Sequence, residues 1–112
     1  MHELAIAQAA IDLAEEAARG RRVRRVTLEV GELSGVLPEA LSFCFDIAAQ
    51  GTLLDGAELD LRRISGVALC ESCGAEFGVS CEPAMCACGA TSLIYLCGRE
   101  LNVKSIELVE PP

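Results

Sequence analysis

The sequence predicts an α+β fold interrupted by a cysteine-bearing insertion, and three observations predict it. Apolar residues recur at helical spacing in two segments and at every second position in three others. The composition shifts to Cys, Gly and small polar residues from Leu69 to about Cys97. An alternating apolar stretch then returns and ends the chain. At 112 residues the chain has room for one modest core and a small satellite. Hydrophobic residues make up 52% of it but aromatic ones only 4%, so Ala, Leu, Ile and Val must build the core.

The first element is an amphipathic helix over residues 4–18, with Leu4, Ala7, Ile11, Ala14 and Ala18 on its apolar face and Glu3, Asp12, Glu15 and Glu16 toward solvent. Gly20 suits a left-handed cap at its end. Val26, Leu28 and Val30 alternate with Thr27 and Glu29 in a half-buried strand. Pro38 fits the first turn of a second helix that puts Leu41, Cys44, Phe45 and Ala48 on one side and closes at Gly51. After a turn at Gly56, Leu59 and Leu61 alternate with charged residues in a second strand. In the last strand Leu101 and Val103 keep one phase while Ile106 and Leu108 keep the other, which calls for a bulge near Lys104 and Ser105.

The formal net charge of −8 argues against a nucleic-acid binder, which needs clustered positive surface. The one basic run, Arg19, Arg21, Arg22, Arg24 and Arg25, reads as a solvated loop and strand edge. No stretch is long and apolar enough to span a membrane, and Met1-His2-Glu3 does not open a signal peptide, so a cytoplasmic protein is expected. Disulfides are rare there. Seven cysteines, six of them from residue 70 onward, therefore point to a metal site.

Zinc takes four thiolates tetrahedrally, and two tight turns, each carrying two ligands, close such a site. Cys70-Glu71-Ser72-Cys73-Gly74 makes one turn, its glycine leaving backbone amides free to approach sulfur. Cys88-Gly89 repeats that ending. The matching partner position holds Met85, a thioether better suited to Cu(I). The fourth ligand is thus Cys86, in a tighter Cys-x-Cys bite, with Cys81 as the alternative. Cys44 reads as a small buried hydrophobe, and Cys97 as either core or a neighbour of the site. A closed four-cysteine site is structural, not catalytic. The architecture expected is two helices on a small three-stranded antiparallel sheet, formed by residues 1–68 and 101–112, with a four-cysteine zinc-ribbon-like subdomain inserted at residues 69–100.

The only histidine is His2. The Met1 α-amine, the His2 backbone nitrogen and the His2 imidazole can close fused chelate rings on one ion, with Glu3 in reach. That donor set favours Ni(II) or Cu(II) over Mg(II) or Ca(II). A solvated histidine is the plainer alternative, but a bulky second residue disfavours removal of Met1, and the helix that follows gives the motif a rigid root.

Met1-His2-Glu3, Glu29-Val30-Gly31-Glu32-Leu33-Ser34, Phe43-Cys44-Phe45, Gly51-Thr52, Gly56-Ala57, the cysteine turns and Gly98-Arg99-Glu100-Leu101, in that order, resemble the HypA/HybF family of nickel metallochaperones of [NiFe]-hydrogenase maturation. The resemblance spans nearly the whole chain and departs at Met85, where the family shows the first cysteine of Cys-x-x-Cys. It implies that residues 1–68 and 101–112 form a nickel-binding domain using Met1, His2 and Glu3, and that an inserted domain holds structural Zn(II) on Cys70, Cys73, Cys88 and a fourth cysteine, Cys86 or Cys81. It further implies delivery of Ni(II) to the hydrogenase large-subunit precursor beside a nickel-maturation GTPase, and in some members to urease. A monomer or weak homodimer that is not an enzyme is expected. The rivals are a zinc-ribbon module binding protein or RNA, though the cysteine turns lack the basic and aromatic side chains that grip RNA, and a thiol oxidoreductase working through Cys70 and Cys73.

Overall fold

The computed structural model describes residues 3–110. Its elements are α1 (Glu3–Ala18), β1 (Val23–Gly31), a short 3-10 turn (Glu32–Ser34), α2 (Pro38–Ala49), β2 (Glu58–Ile64), β3 (Gly66–Cys70), β4 (Glu76–Val79), β5 (Leu93–Cys97) and β6 (Leu101–Leu108). The strands form two three-stranded sheets, ordered β2-β1-β6 and β4-β3-β5. The fold is α+β, and the chain divides into two compact units. One comprises Val30–Gly35 and Arg63–Leu101, and the other comprises the rest.

In the first unit α1 and α2 pack against each other. The face that α1 buries is Ala7, Ala10, Ile11, Ala14 and Ala18. This small-residue stripe begins one turn later than its periodicity predicts, leaving Leu4 44% exposed at the head of the helix. Arg19 and Gly20 both adopt left-handed backbone after Ala18, so the helix stops where a glycine permits the reversal. α2 starts on Pro38, whose missing N–H costs nothing in a first turn. Leu41, Phe45 and Ala49 are its buried residues, while Cys44, expected to be buried, is only half-buried. The loop after α2 is tied back to α1 where the Leu53 N–H donates to the Glu15 carboxylate at 3.0 Å. Leu54 is fully buried there.

β1 is buried more completely than simple alternation predicts. Val26, Leu28 and Val30 are inside, and so is Thr27 at 8% exposure. The Thr27 hydroxyl donates to Asp60 at 3.4 Å, which lets a polar side chain sit at a covered position. Four arginines of the basic run are engaged within the chain, two of them by carboxylates. Arg24 pairs with Glu107, Arg25 pairs with Glu58 and Glu107, and Arg21 and Arg22 donate to the carbonyls of Val109 and Asp55. The Arg24 guanidinium, helped by Arg25, holds the Glu107 carboxyl below its ordinary value. In β6 the half-buried Val103 and Ile106 stand three residues apart, consistent with the phase change in the sequence.

The second unit contains three strands that the cysteine-rich segment does not announce. β3 is central, paired antiparallel with β4 and with β5. The 3-10 turn joins this unit because the Gly31 N–H donates to Glu100 O at 2.7 Å and the Leu33 N–H to Gly98 O at 2.6 Å. Backbones approach so closely there that side chains have no room. A Cβ on Gly31 would lie 2.0 Å from Gly98 O, and one on Gly66 would lie 2.2 Å from Val79 O.

Gly31 has ordinary extended dihedrals, φ −70° and ψ 143°, so crowding alone excludes a side chain. Gly31→Ala is therefore expected to destabilise the protein by about 1–3 kcal/mol, the usual cost of overpacking. Gly78→Ala, whose added carbon would meet nothing nearer than 3.9 Å, should lie much closer to wild type in urea unfolding.

Candidate metal centre

The C-terminal end of β3 and the N-terminal end of β5 each adjoin a tight turn that carries cysteines. Cys70 is the last residue of β3, and Cys73 follows in the turn to β4. Cys86 and Cys88 lie in the segment before β5. The sulfurs of these four residues lie within 4.8 Å of one another. Cys70 Sγ is 3.7 Å from Cys88 Sγ, and Cys73 Sγ is 3.6 Å from Cys86 Sγ. A tetrahedral ion with metal–sulfur bonds near 2.3 Å sets its ligands about 3.8 Å apart. The cluster thus has the dimensions of a four-thiolate zinc site, with Cys70 and Cys86 buried and Cys73 and Cys88 exposed.

Backbone hydrogen bonds explain how a Cys-x-Cys pair faces a Cys-x-x-Cys pair. In the first turn the Cys70 N–H donates to Ala75 O (2.8 Å) and the Gly74 N–H to Cys70 O (2.9 Å). In the second the Cys86 N–H donates to Ala90 O (3.0 Å) and the Gly89 N–H to Cys86 O (2.8 Å). The second turn is the first with one residue removed. Both end on a left-handed glycine, Gly74 at φ 78° and Gly89 at φ 92°. The shorter bite therefore keeps the pattern that presents its sulfurs.

The electrostatics favour a cation. The backbone N–H of Cys73 points at the Cys70 sulfur and, with that of Ser72, outweighs burial to bring the Cys70 thiol down to about 7. For Cys73 the backbone N–H of Ala75 lowers the value, but contacts with the Cys86 and Cys70 sulfurs leave it raised. Sulfurs this close cannot all ionise without a shared positive charge. Two turns are held together by the Glu71 N–H donating to Ser92 O at 3.1 Å and by the Ser92 hydroxyl donating to the Glu71 carboxylate at 2.7 Å. Neither Glu71 nor Ser92 stands out in the sequence, since their pairing appears only once β3 and β5 are in register.

The other residues singled out by sequence fall as follows. Met1 and His2 lie outside the described residues. Glu3 is the first residue of α1, half-buried, and its carboxylate accepts from the Leu37 N–H at 3.3 Å, at the start of α2. Cys81 is exposed and is not among the four converging sulfurs. Cys97 is half-buried and donates to Ser65 O at 3.3 Å, apart from the cluster. Among the described residues Cys70, Cys73, Cys86 and Cys88 form the one group of His, Cys, Asp and Glu placed to share a metal ion. No described helix is long and apolar enough to cross a membrane.

A family model described as hydrogenase/urease nickel incorporation, metallochaperone, hypA matches residues 1–108. The chain is 47% identical over 109 residues to hydrogenase maturation factor HypA of Geobacter metallireducens, covering 96% of this chain and 99% of that protein. It is 46% identical over 110 residues to hydrogenase maturation factor HypA of Trichormus variabilis, covering 98% and 97% respectively. The solution structure of the Ni metallochaperone HypA from Helicobacter pylori shares the fold, with a TM-score of 0.72 at 24% identity over 99% of this chain and 100% of that one. Motif order, fold and full-length similarity agree: the chain belongs to the HypA family, metallochaperones of hydrogenase maturation rather than catalysts.

Proposed function

We propose that this chain carries Ni(II) to the hydrogenase large-subunit precursor, binding the cargo at its N-terminus and keeping a separate structural Zn(II) among its cysteines. The observation that carries this reading is the closed set of four converging sulfurs in a HypA-family chain. A site with all four vertices filled by thiolates has no open position for exchange, so the cargo needs other donors. Cys70, Cys73, Cys86 and Cys88 are the proposed zinc ligands, and residues 69–100 the zinc-binding domain. Residues 1–68 with 101–112 form the proposed nickel-binding domain.

The proposed nickel ligands are the Met1 amine, the His2 backbone and imidazole nitrogens, and Glu3. Glu3 begins α1 and its carboxylate meets the Leu37 N–H, so the last of these proposed ligands belongs to a helix. Transfer then proceeds by ligand exchange. An accessible, nitrogen-rich site takes up Ni(II), the chain docks on its acceptor, and thiolates there replace the nitrogen donors one by one. A nickel-maturation GTPase is the proposed partner in that handover, urease a second destination, and the cytoplasm its setting.

Two outcomes check the zinc assignment. Cys86→Ser should purify with well under one zinc per chain, and Cys81→Ser should retain one; the reverse pattern would make Cys81 the ligand. Because the ligands bind as thiolates, protons compete with the ion and affinity falls as pH is lowered; Cys70, whose value is depressed, is the sulfur least affected by that competition. Zinc released to a chromogenic chelator should accordingly rise as pH is lowered from 7.

The nickel assignment is checked by calorimetric titration of zinc-loaded protein with its native N-terminus, beside His2→Ala and a form extended before Met1. Native protein should bind one Ni(II), and both altered forms should lose that binding while retaining zinc. Equal binding by all three would place nickel on cysteine and remove the basis for an N-terminal carrier site.

A further inference from the structure

Among the segments that carry the family resemblance, Gly98-Arg99-Glu100-Leu101 has no part in either proposed metal site. Two of its residues act where backbones meet. Gly98 adopts left-handed φ 110°, a Cβ there would lie 2.5 Å from Gly66 Cα, and its N–H donates to the Glu100 carboxylate at 2.7 Å. The Arg99 side chain points elsewhere. Its guanidinium carbon lies 4.2 Å from the centre of the Tyr95 ring, and the guanidinium pairs with the Glu82 carboxylate.

The ring is placed by the sheet. Tyr95 is half-buried and stands opposite Ala68 on β3, while the adjacent pair joins Val67 to Cys97, so Leu96 forms a bulge between them. A bulge bends its strand. Together with the reversal at Gly98 it brings Arg99 back over a ring the chain has already passed.

Glu82 belongs to residues 80–85, which lead from β4 to the second cysteine turn and form neither helix nor strand. The two halves of the cysteine cluster are therefore held differently. Cys70 and Cys73 stand at the junction of β3 and β4, strands paired with each other. Cys86 and Cys88 are tied to a strand only on their far side, where Ser92 meets Glu71 just before β5. On the near side, the Arg99–Glu82 pair is the one side-chain hydrogen bond or ion pair that residues 80–85 make among the described residues. Yet Cys86 sits buried, with its sulfur 3.6 Å from that of Cys73.

We infer, on the zinc assignment proposed above, that Arg99 is a positioning residue for the zinc set: braced on Tyr95, it holds Glu82 and so fixes the segment that delivers Cys86 to the cluster. An exposed ion pair alone contributes little. A guanidinium that also stacks on a ring is oriented before it pairs and gains a second contact. Its effect is to keep the Cys86–Cys88 half from lifting away, and it shows in how fast zinc leaves.

Zinc transfer from loaded protein to excess chromogenic chelator tests this, beside Arg99→Ala, Glu82→Gln, Arg99→Glu and the exchange of Arg99→Glu with Glu82→Arg. Each single change should speed release by about three- to tenfold, the scale of one stacked surface pair, with zinc content as purified and circular dichroism unchanged. The exchange should release zinc more slowly than Arg99→Glu alone, because opposite charges meet again. Alkylation during release, mapped by mass spectrometry, separates positioning from general loosening: in Arg99→Ala, Cys86 and Cys88 should be labelled before Cys70 and Cys73. Arg62→Ala, which breaks an ion pair with Asp60 on β2, should release zinc like the parent. A parent that purifies without zinc would remove the zinc assignment and this inference with it. With zinc retained by the parent, the inference alone is overturned by any of four results: Arg99→Ala and Glu82→Gln no faster than the parent, an exchange no slower than Arg99→Glu, equal labelling across the cluster, or Arg62→Ala as fast as Arg99→Ala.

Discussion

Four sulfurs drawn within 4.8 Å of one another are the constraint on which the second unit rests. As thiols they offer only weak hydrogen bonds, and as thiolates they repel, so a cation is what makes their convergence stable. The buried apolar residues of this unit are Val30, Ala68, Cys70, Val79 and Cys86, and two of these five belong to the cluster. Ligand sulfur thus supplies a substantial share of its interior beside hydrocarbon. β3 ends at Cys70, and the turns around Gly74 and Gly89 take the shape that aims the sulfurs inward. The strands and the cluster are mutually dependent, as expected where a small domain has too little apolar surface to fold without a staple.

The proposed carrier role asks for a second kind of metal chemistry beside this one. A closed tetrathiolate set exchanges poorly, which suits a structural ion and disqualifies the site as a carrier. A carrier needs accessible donors whose affinity is outmatched by the acceptor. Nitrogen donors at a chain terminus meet that requirement for Ni(II), and they differ enough from sulfur to keep the two ions apart. The Glu3 contact with the Leu37 N–H gives such a terminus a fixed origin where the two helices begin.

The fold was readable wherever side-chain period reports burial. α1 and α2 came from apolar residues at helical spacing, and their ends from Gly20 and Pro38. β1, β2 and β6 came from alternation. The strands of the second unit were not readable, because β3, β4 and β5 owe their pairing to the register around Cys70 and Glu71 and to close approach at Gly31, Gly66 and Gly98. Leu4 was misplaced because periodicity does not say where along a helix contact begins. Thr27 was read as outward because alternation cannot anticipate a hydroxyl satisfied by Asp60. At the cluster, Cys70, Cys73 and Cys88 were plain from spacing. Cys86 looked irregular beside Met85 until the backbone bonds showed a turn shortened by one residue.

X-ray absorption at the zinc and nickel edges of doubly loaded protein tests most directly whether structural and cargo ions occupy different sites. Separate sites predict a zinc shell of four sulfurs at about 2.3 Å and a nickel shell of nitrogen and oxygen only. Sulfur in the nickel shell, or zinc leaving its sulfurs as nickel is added, would contradict a separate N-terminal carrier site.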